Sequence, residues 1–309
     1  MGSLFSVILY YKYVELSGVE RFAAEHKWLC ASLGLKGRVI VAGEGINGTL
    51  AGPPDAVQSY MDAMHADPRF SDMEFKLSEG GPDTFPRLSV RVRPEIVTLA
   101  AGVPLKADLD NHLSPTEWKR LLEEDPEVVV VDVRNRYESA AGKFENAIAC
   151  EIDNFRELPD YLEKLAGNED KKVLMYCTGG IRCEKASALF RHRGFKRVFQ
   201  LHGGIVNYQK EHGNAHWLGE CFVFDKRMTV RIEEDLKHVG RCAHSGRPTG
   251  RFVNCLHDLC HCLFLLAEET QQEDPETILC PRCRANGLTQ MTAEYKGSPA
   301  RRSGQCEAG

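Results

Sequence analysis

Two nearly uninterrupted apolar runs, Glu127–Val133 and Lys172–Tyr176, constrain this chain more than any other feature. Short continuous runs rich in valine fit strands buried on both faces, and such strands belong to parallel sheets covered by helices. Helical segments alternate with them. Ser114-Pro115-Thr116-Glu117 combines an S-x-x-E capping box with proline at the first helical position. Further helices are expected at Leu158–Ala166, Arg182–His192 and Ile205–Glu211, and further strands at Ala147–Ile152 and Val198–Leu201. The alternation predicts an α/β domain over 113–212 with a parallel sheet. Ligands of such sheets bind at the carboxyl ends of the strands. Asp132, Arg134 and Cys177 all fall at such ends.

Cys177 opens the loop Cys177-Thr178-Gly179-Gly180-Ile181-Arg182 between a strand and a helix. The two glycines allow backbone N–H groups to turn inward as an anion-holding nest. The helix N-terminus adds partial positive charge, and Arg182 and Lys185 add full charges. All of these favour thiolate over thiol and mark Cys177 as reactive. The competing reading is a buried structural cysteine. Arg182 suits contact with an anionic sulfur or a phosphate. Cys183, in the first helical turn, reads equally as a second working thiol or as packing. Asp132 and Arg134 are expected to pair as supports of the loop rather than act in chemistry.

The 309 residues allow two or three domains, and the 43% hydrophobic and 27% charged content is that of a soluble globular chain. A net charge of −5 supplies no bulk attraction to nucleic acid, so any RNA contact needs a local basic patch. No apolar run approaches the ~18–20 residues of a membrane span. The apolar start, Leu4–Tyr11, lacks a basic flank and a cleavage site and reads as a strand rather than a signal peptide. The expected location is the cytoplasm.

Residues 1–97 read as a small α+β domain. Strands are expected at Leu4–Tyr11, Gly37–Ala42, Phe75–Leu77 and Arg87–Val92, with helices from a Ser17–Glu20 capping box to about Leu33 and over Asp55–His65. Asn47-Gly48 is expected at the tip of a hairpin within Gly43–Leu50. The order βαββαβ is that of a ferredoxin-like fold. In the last strand, alternation places Arg87, Ser89, Arg91 and Arg93 on one face and Leu88, Val90 and Val92 on the other. That basic face is either a phosphate contact or an ordinary polar sheet face. Residues 98–112 form a linker, and 291–309 are expected to be a disordered tail.

Six of the twelve cysteines crowd between Cys242 and Cys283, which in a reducing compartment suggests metal rather than disulfides. Cys280-Pro281-Arg282-Cys283 is a compact knuckle and Cys255–Cys260 a looser one. Together they supply the four thiolates that a structural zinc ion needs. His244 or Cys262 could join Cys242 in an incomplete second set. The segment 213–290 is therefore read as Cys-rich and zinc-binding. No organic cofactor motif is recognised.

Val131-Asp132-Val133-Arg134 with Tyr137-Glu138, the six-residue Cys177–Arg182 loop, and Leu201-His202-Gly203-Gly204 resemble the landmarks of a rhodanese domain. Gly45-Ile46-Asn47-Gly48-Thr49, the extended loop Cys177–Ala186, Asp153-Asn154-Phe155-Arg156-Glu157 and Val223-Phe224-Asp225-Lys226-Arg227 resemble the rhodanese-related tRNA uridine hydroxylases. The chain departs from that family at Ser245, Ala267 and Thr270, where cysteines are usual. The resemblance implies a ferredoxin-like domain, a rhodanese-like domain and a Cys-rich segment. It also implies oxygen-dependent hydroxylation at C5 of the wobble uridine, with Cys177 essential and tRNA as partner. Two other functions compete. One is a persulfide sulfurtransferase charged by a small sulfur donor; the other is a non-catalytic zinc-containing scaffold, which a buried Cys177 would favour.

Overall fold

Alternating strands and helices carry the first ninety residues in the computed structural model, which describes residues 5–103, 111–231 and 238–288. In order they are β1 (Phe5–Tyr13), α1 (Val19–Ser32), β2 (Lys36–Ala42), β3 (Gly45–Gly52), α2 (Pro54–His65), β4 (Phe75–Gly80) and β5 (Leu88–Val92). The sheet order is β4-β1-β3-β2-β5. β1, β2, β3 and β4 pair antiparallel in the expected ferredoxin-like frame. β5 is an additional edge strand, parallel to β2. Both helices cover one face. Ile8, Tyr10, Val39, Val41, Ile46 and Leu50 of the sheet pack there with Ala23 and Cys30 of α1 and Val57, Tyr60 and Met64 of α2.

Two local expectations fail. Asn47-Gly48 is not a hairpin tip: both residues lie inside β3, opposite Ile40 and Val39, and the turn is Gly43-Glu44. Gly48 is required by packing, because a Cβ there would lie 2.3 Å from the Tyr10 ring. The Ser17–Glu20 box also does not form. Gly18, at φ +60°, is the N-cap of α1, without a side-chain cap.

The chain divides into two units. The first holds the residues up to Gly102 together with Phe224–Arg227; the second holds the rest. The second unit opens with β6 (His112–Leu113), α3 (Pro115–Glu124), β7 (Val129–Asp132), α4 (Arg136–Ala141), β8 (Gly142–Phe144) and β9 (Ile148–Ala149). It continues with α5 (Leu158–Tyr161), β10 (Lys172–Tyr176), α6 (Ile181–His192), β11 (Arg197–Leu201) and α7 (Gly204–His212). Its central sheet, β6-β11-β10-β7-β9, is parallel throughout. The Ser114 capping box forms: Ser114 Oγ accepts from Glu117 N at 3.2 Å, and Glu117 Oε2 accepts from Ser114 N at 2.9 Å. The helix expected over Leu158–Ala166 is a single α-turn followed by a 3-10 turn, Leu162–Leu165. The strand expected at Ala147–Ile152 pairs regularly only at Ile148–Ala149.

Beyond α7, short pairs of strands replace long elements. β12 (Trp217–Gly219) pairs with β8, β13 (Cys221–Phe222) with β14 (Thr229–Val230), and β15 (Phe252–Asn254) with β16 (Leu263–Leu265). Helices α8 (Glu268–Glu273) and α9 (Pro281–Ala285) follow. Phe252 and Leu265 pack on Ala141 and Phe222, which joins this segment to the parallel-sheet layer. The tail expected to be disordered, 291–309, lies outside the described residues. Among the described residues, no helix is long and apolar enough to cross a membrane.

Candidate active site and cysteine cluster

Strand β10 ends in the sheet centre and delivers Cys177 to the turn into α6. Gly180, at φ +101°, bends the loop so that its N–H donates to Cys177 Sγ at 3.1 Å. The Cys183 thiol, the Arg182 charge and the nearby backbone N–H groups of Arg182 and Cys183 further favour a negative charge on that sulfur. Cys177 is 0% exposed. Burial pushes its pKa up, yet the Cys183 hydrogen bond, the Arg182 charge and the N–H donors outweigh burial and lower it to about 6. The buried cysteines Cys30 and Cys221 lack such a cradle, and burial drives both up to about 12. Burial at Cys177 is therefore combined with anion stabilisation that a packing role does not need. Cys183 moves the opposite way, raised by its own burial and by Cys177.

Arg182 does not point its guanidinium at open space. It is held by Glu138 of α4, with Nη1 to Oε2 at 2.6 Å and Nη2 to Oε1 at 2.7 Å. Thr178 Oγ1 donates to the same carboxylate at 3.3 Å. Beneath this layer, Arg134 Nε and Nη2 bond Asp132 at 2.9 and 2.6 Å, with both side chains fully buried. Asp132 also accepts from Tyr176 and Ser139, each at 2.9 Å. The Arg134 guanidinium lies 5.6 Å from the Tyr176 ring centroid and 5.4 Å from that of Trp217. The loop thus stands beside two ion pairs, Asp132–Arg134 at the end of β7 and Glu138–Arg182 between α4 and α6.

The His202-Gly203-Gly204 turn closes the loop from above. Ile205 N donates to Cys177 O at 3.1 Å and Val206 N to Thr178 O at 3.2 Å. Gly204 sits at φ +68°, and a Cβ there would fall 2.5 Å from Cys177 O. Only glycine lets α7 approach this closely.

The other sequence motifs clamp loops. Glu44 Oε1 accepts from Ile96 N at 2.8 Å while Asn47 Nδ2 donates to Ile96 O at 3.1 Å, so both polar backbone groups of one residue are held. Glu157 accepts from Asp153 N at 2.9 Å. Arg227 donates to Glu79 O at 2.6 Å and Lys226 N to Thr84 O at 3.1 Å, which fastens Phe224–Arg227 to the first unit. Arg87, Arg91 and Arg93 are all exposed on or beside β5, in that same unit.

Cys255, Cys260, Cys280 and Cys283 converge: their sulfurs all lie within 4.8 Å of one another. Cys260 Sγ and Cys280 Sγ are 3.7 Å apart, and Cys280 N donates to Cys255 Sγ at 3.3 Å. Thiolates about 2.3 Å from a tetrahedral ion stand roughly 3.8 Å apart, so the cluster could bind a metal. Cys242 is not part of it. Its thiol meets Thr270 Oγ1 at 3.7 Å, Ser245 Oγ meets the same hydroxyl at 2.7 Å, and His244 Nε2 bonds Leu279 O. The suggested second set is a hydrogen-bonded cluster of hydroxyls with one thiol.

Three domain families match the chain in order: a UPF0176 acylphosphatase-like domain over 5–96, a rhodanese-like domain over 114–211 and a rhodanese C-terminal domain over 218–284. The tRNA uridine(34) hydroxylase of Bacillus licheniformis is 43% identical over 88% of this chain and 86% of its own length. The chain belongs to the tRNA uridine(34) hydroxylase family. The hydroxylase of Shouchella clausii is 41% identical over 100% of this chain and 97% of its own. That of Staphylococcus aureus is 43% identical over 86% of each. Among solved structures, a rhodanese-like domain protein from Staphylococcus aureus is 28% identical, with a TM-score of 0.28, over 32% of this chain and 90% of its own. Within this family's layout, Glu138 is the site residue that sequence reasoning left without a role. The available signal was its place in Tyr137-Glu138, just past the strand carrying Asp132.

Proposed function

We propose that this protein hydroxylates C5 of uridine 34 in tRNA in an oxygen-dependent reaction, with Cys177 as the catalytic residue. Family membership supports the reaction. The single observation that carries the residue assignment is the cradle that lowers the Cys177 thiol to about 6 despite complete burial. Arg182 supplies the charge that keeps Cys177 ionised, and Thr178, Gly179, Gly180 and Ile181 supply the loop. Asp132, Arg134 and Cys183 support it.

In this reading residues 1–97, 113–212 and 213–290 act as three domains in the cytoplasm. Arg87, Arg91 and Arg93 hold tRNA phosphates. Cys255, Cys260, Cys280 and Cys283 hold one zinc ion, which organises a segment with few long elements of its own. A second reading, persulfide sulfur transfer from a small donor, draws on the same cradle, since N–H groups that hold a thiolate also hold a terminal persulfide sulfur. Nucleoside mass spectrometry separates the two. Hydroxylated uridine should disappear from the tRNA of cells lacking the protein and return with wild type but not with Cys177→Ser. Unchanged tRNA, with thiosulfate-dependent sulfur loading of the purified protein, selects sulfur transfer instead.

A further inference from the structure

Of the eleven cysteines among the described residues, ten are buried and Cys260 alone is partly exposed. Its place in the fold explains this. Cys255 and Cys260 lie in the connection from β15 to β16, Cys280 is the N-cap of α9, and Cys283 lies within that helix. Cys255, Cys280 and Cys283 belong to the core formed with Phe264, Leu266 and Leu279, and are 0%, 0% and 2% exposed. Cys260 packs against that core from its rim. It is therefore the edge of the cluster that a reagent in water meets first.

Two contacts define what that edge can do. Cys260 Sγ lies 3.7 Å from Cys280 Sγ. A disulfide spans about 2.05 Å, so the two sulfurs need to close by only about 1.7 Å. Arg282 Nη2 lies 3.9 Å from Cys260 Sγ and places a positive charge beside it. The partly exposed sulfur thus has a buried partner within reach. That is the arrangement of an attacking and a resolving thiol.

We propose that Cys260 is the point at which the cluster reacts with low-molecular-weight disulfides, and that its disulfide with Cys280 is a redox switch on the C-terminal segment. The Cys260 thiolate attacks one sulfur of the small disulfide. That S–S bond breaks, one half stays on Cys260, and the other leaves as a thiolate. The Cys280 thiolate then attacks Cys260 Sγ and expels the second half. Two cluster thiolates are oxidised to one disulfide, and one small disulfide is reduced to two thiolates. Cys255 and Cys283 alone are too few for a four-ligand structural ion. The disulfide rests on the cluster geometry; only the loss of an ion rests on the proposed zinc site. The segment so loosened packs through Phe252 and Leu265 on Ala141 of α4, the helix that carries Glu138.

The test uses the full chain, purified without chelator, with oxidised glutathione as the probe. Samples quenched over time are mapped by peptide mass spectrometry, and free zinc is read with a chromogenic chelator. Cys260 should carry the first glutathione adduct, about tenfold or more faster than any other described cysteine. A Cys260–Cys280 disulfide should follow, with zinc appearing in step with it, and dithiothreitol should reverse the bond. In Cys280→Ser the Cys260 adduct should persist unresolved; if that variant does not fold, the wild-type time course decides alone. A first adduct on another described cysteine, a Cys260 disulfide to Cys262 or Cys283, or no reaction at all overturns the proposal. A Cys260–Cys280 disulfide formed by protein that holds no metal would uphold the switch and refute the zinc reading.

Discussion

Arg182 and Glu138 face each other across two hydrogen bonds of 2.6 and 2.7 Å inside the second unit, with the Glu138 side chain fully buried. The arginine therefore acts on Cys177 as a fixed charge in the loop wall. Its two Nη groups are already committed to protein, so an anion bound at Cys177 would be held chiefly by backbone N–H groups. The carboxylate positions the arginine, and the arginine biases the thiol.

Glu138→Ala should therefore destabilise the protein by about 3–5 kcal/mol, because it leaves a buried guanidinium unpaired. Thermal or urea unfolding monitored on purified protein provides the check. A loss below ~1 kcal/mol would mean that water or a neighbouring acceptor replaces the carboxylate.

Iodoacetamide should alkylate Cys177 with a pH midpoint near 6. Cys183→Ala removes the thiol that donates to Cys177, so the midpoint should rise toward the ordinary thiol value of about 8.5. A wild-type midpoint at that ordinary value would refute the cradle as an ionising device. Mass spectrometry of the modified peptide separates Cys177 from the other thiols.

The same shift has a consequence for stability. The folded pKa lies below the unfolded one, so between about 6 and about 8.5 the unfolded chain binds the extra proton. The Cys177 thiolate therefore contributes stability that is complete above about pH 8.5 and is lost as pH falls through about 6. Cys177→Ser should remove this part of the pH dependence. Urea midpoints for the two proteins should diverge as pH rises through this window, and parallel curves would contradict the shift.

Gly204→Ala places a Cβ 2.5 Å from Cys177 O and 2.6 Å from Thr178 O at φ +68°. The expected cost is about 2–4 kcal/mol from left-handed backbone strain and overpacking. Because these contacts hold the loop carbonyls, the alkylation midpoint of Cys177 should also move. Loss of stability with an unmoved midpoint would show that α7 packs on the loop without shaping it.

Elemental analysis of protein purified without chelator should find one zinc per chain. Cys280→Ser should reduce the metal content and make the remaining cluster thiols titratable. Metal at full occupancy in that variant would place the ion elsewhere.

The parallel sheet was legible because Glu127–Val133 and Lys172–Tyr176 carry the signature of two-sided burial within a few residues. The turn that cradles Cys177 was legible for a similar reason: cysteine, two glycines and a helix start are adjacent in sequence and meet locally. The four convergent cysteines could be paired from the knuckle at Cys280–Cys283. Motifs whose partners are distant misled. Asn47-Gly48 has the composition of a turn, but its glycine answers the Tyr10 ring and its asparagine answers Ile96.

The sequence by itself determined which segments could be buried strands, where a thiolate could be cradled by its own loop, and which cysteines could converge. These depend on periodicity and on backbone groups within a few residues. Tertiary structure alone decided that Arg182 is committed to Glu138, that Gly204 must be glycine, and that Asn47 answers a distant strap through Ile96. Each of these depends on strand register or on the docking of separate elements, and buried charges and close backbone approaches take their energies from those distant neighbours.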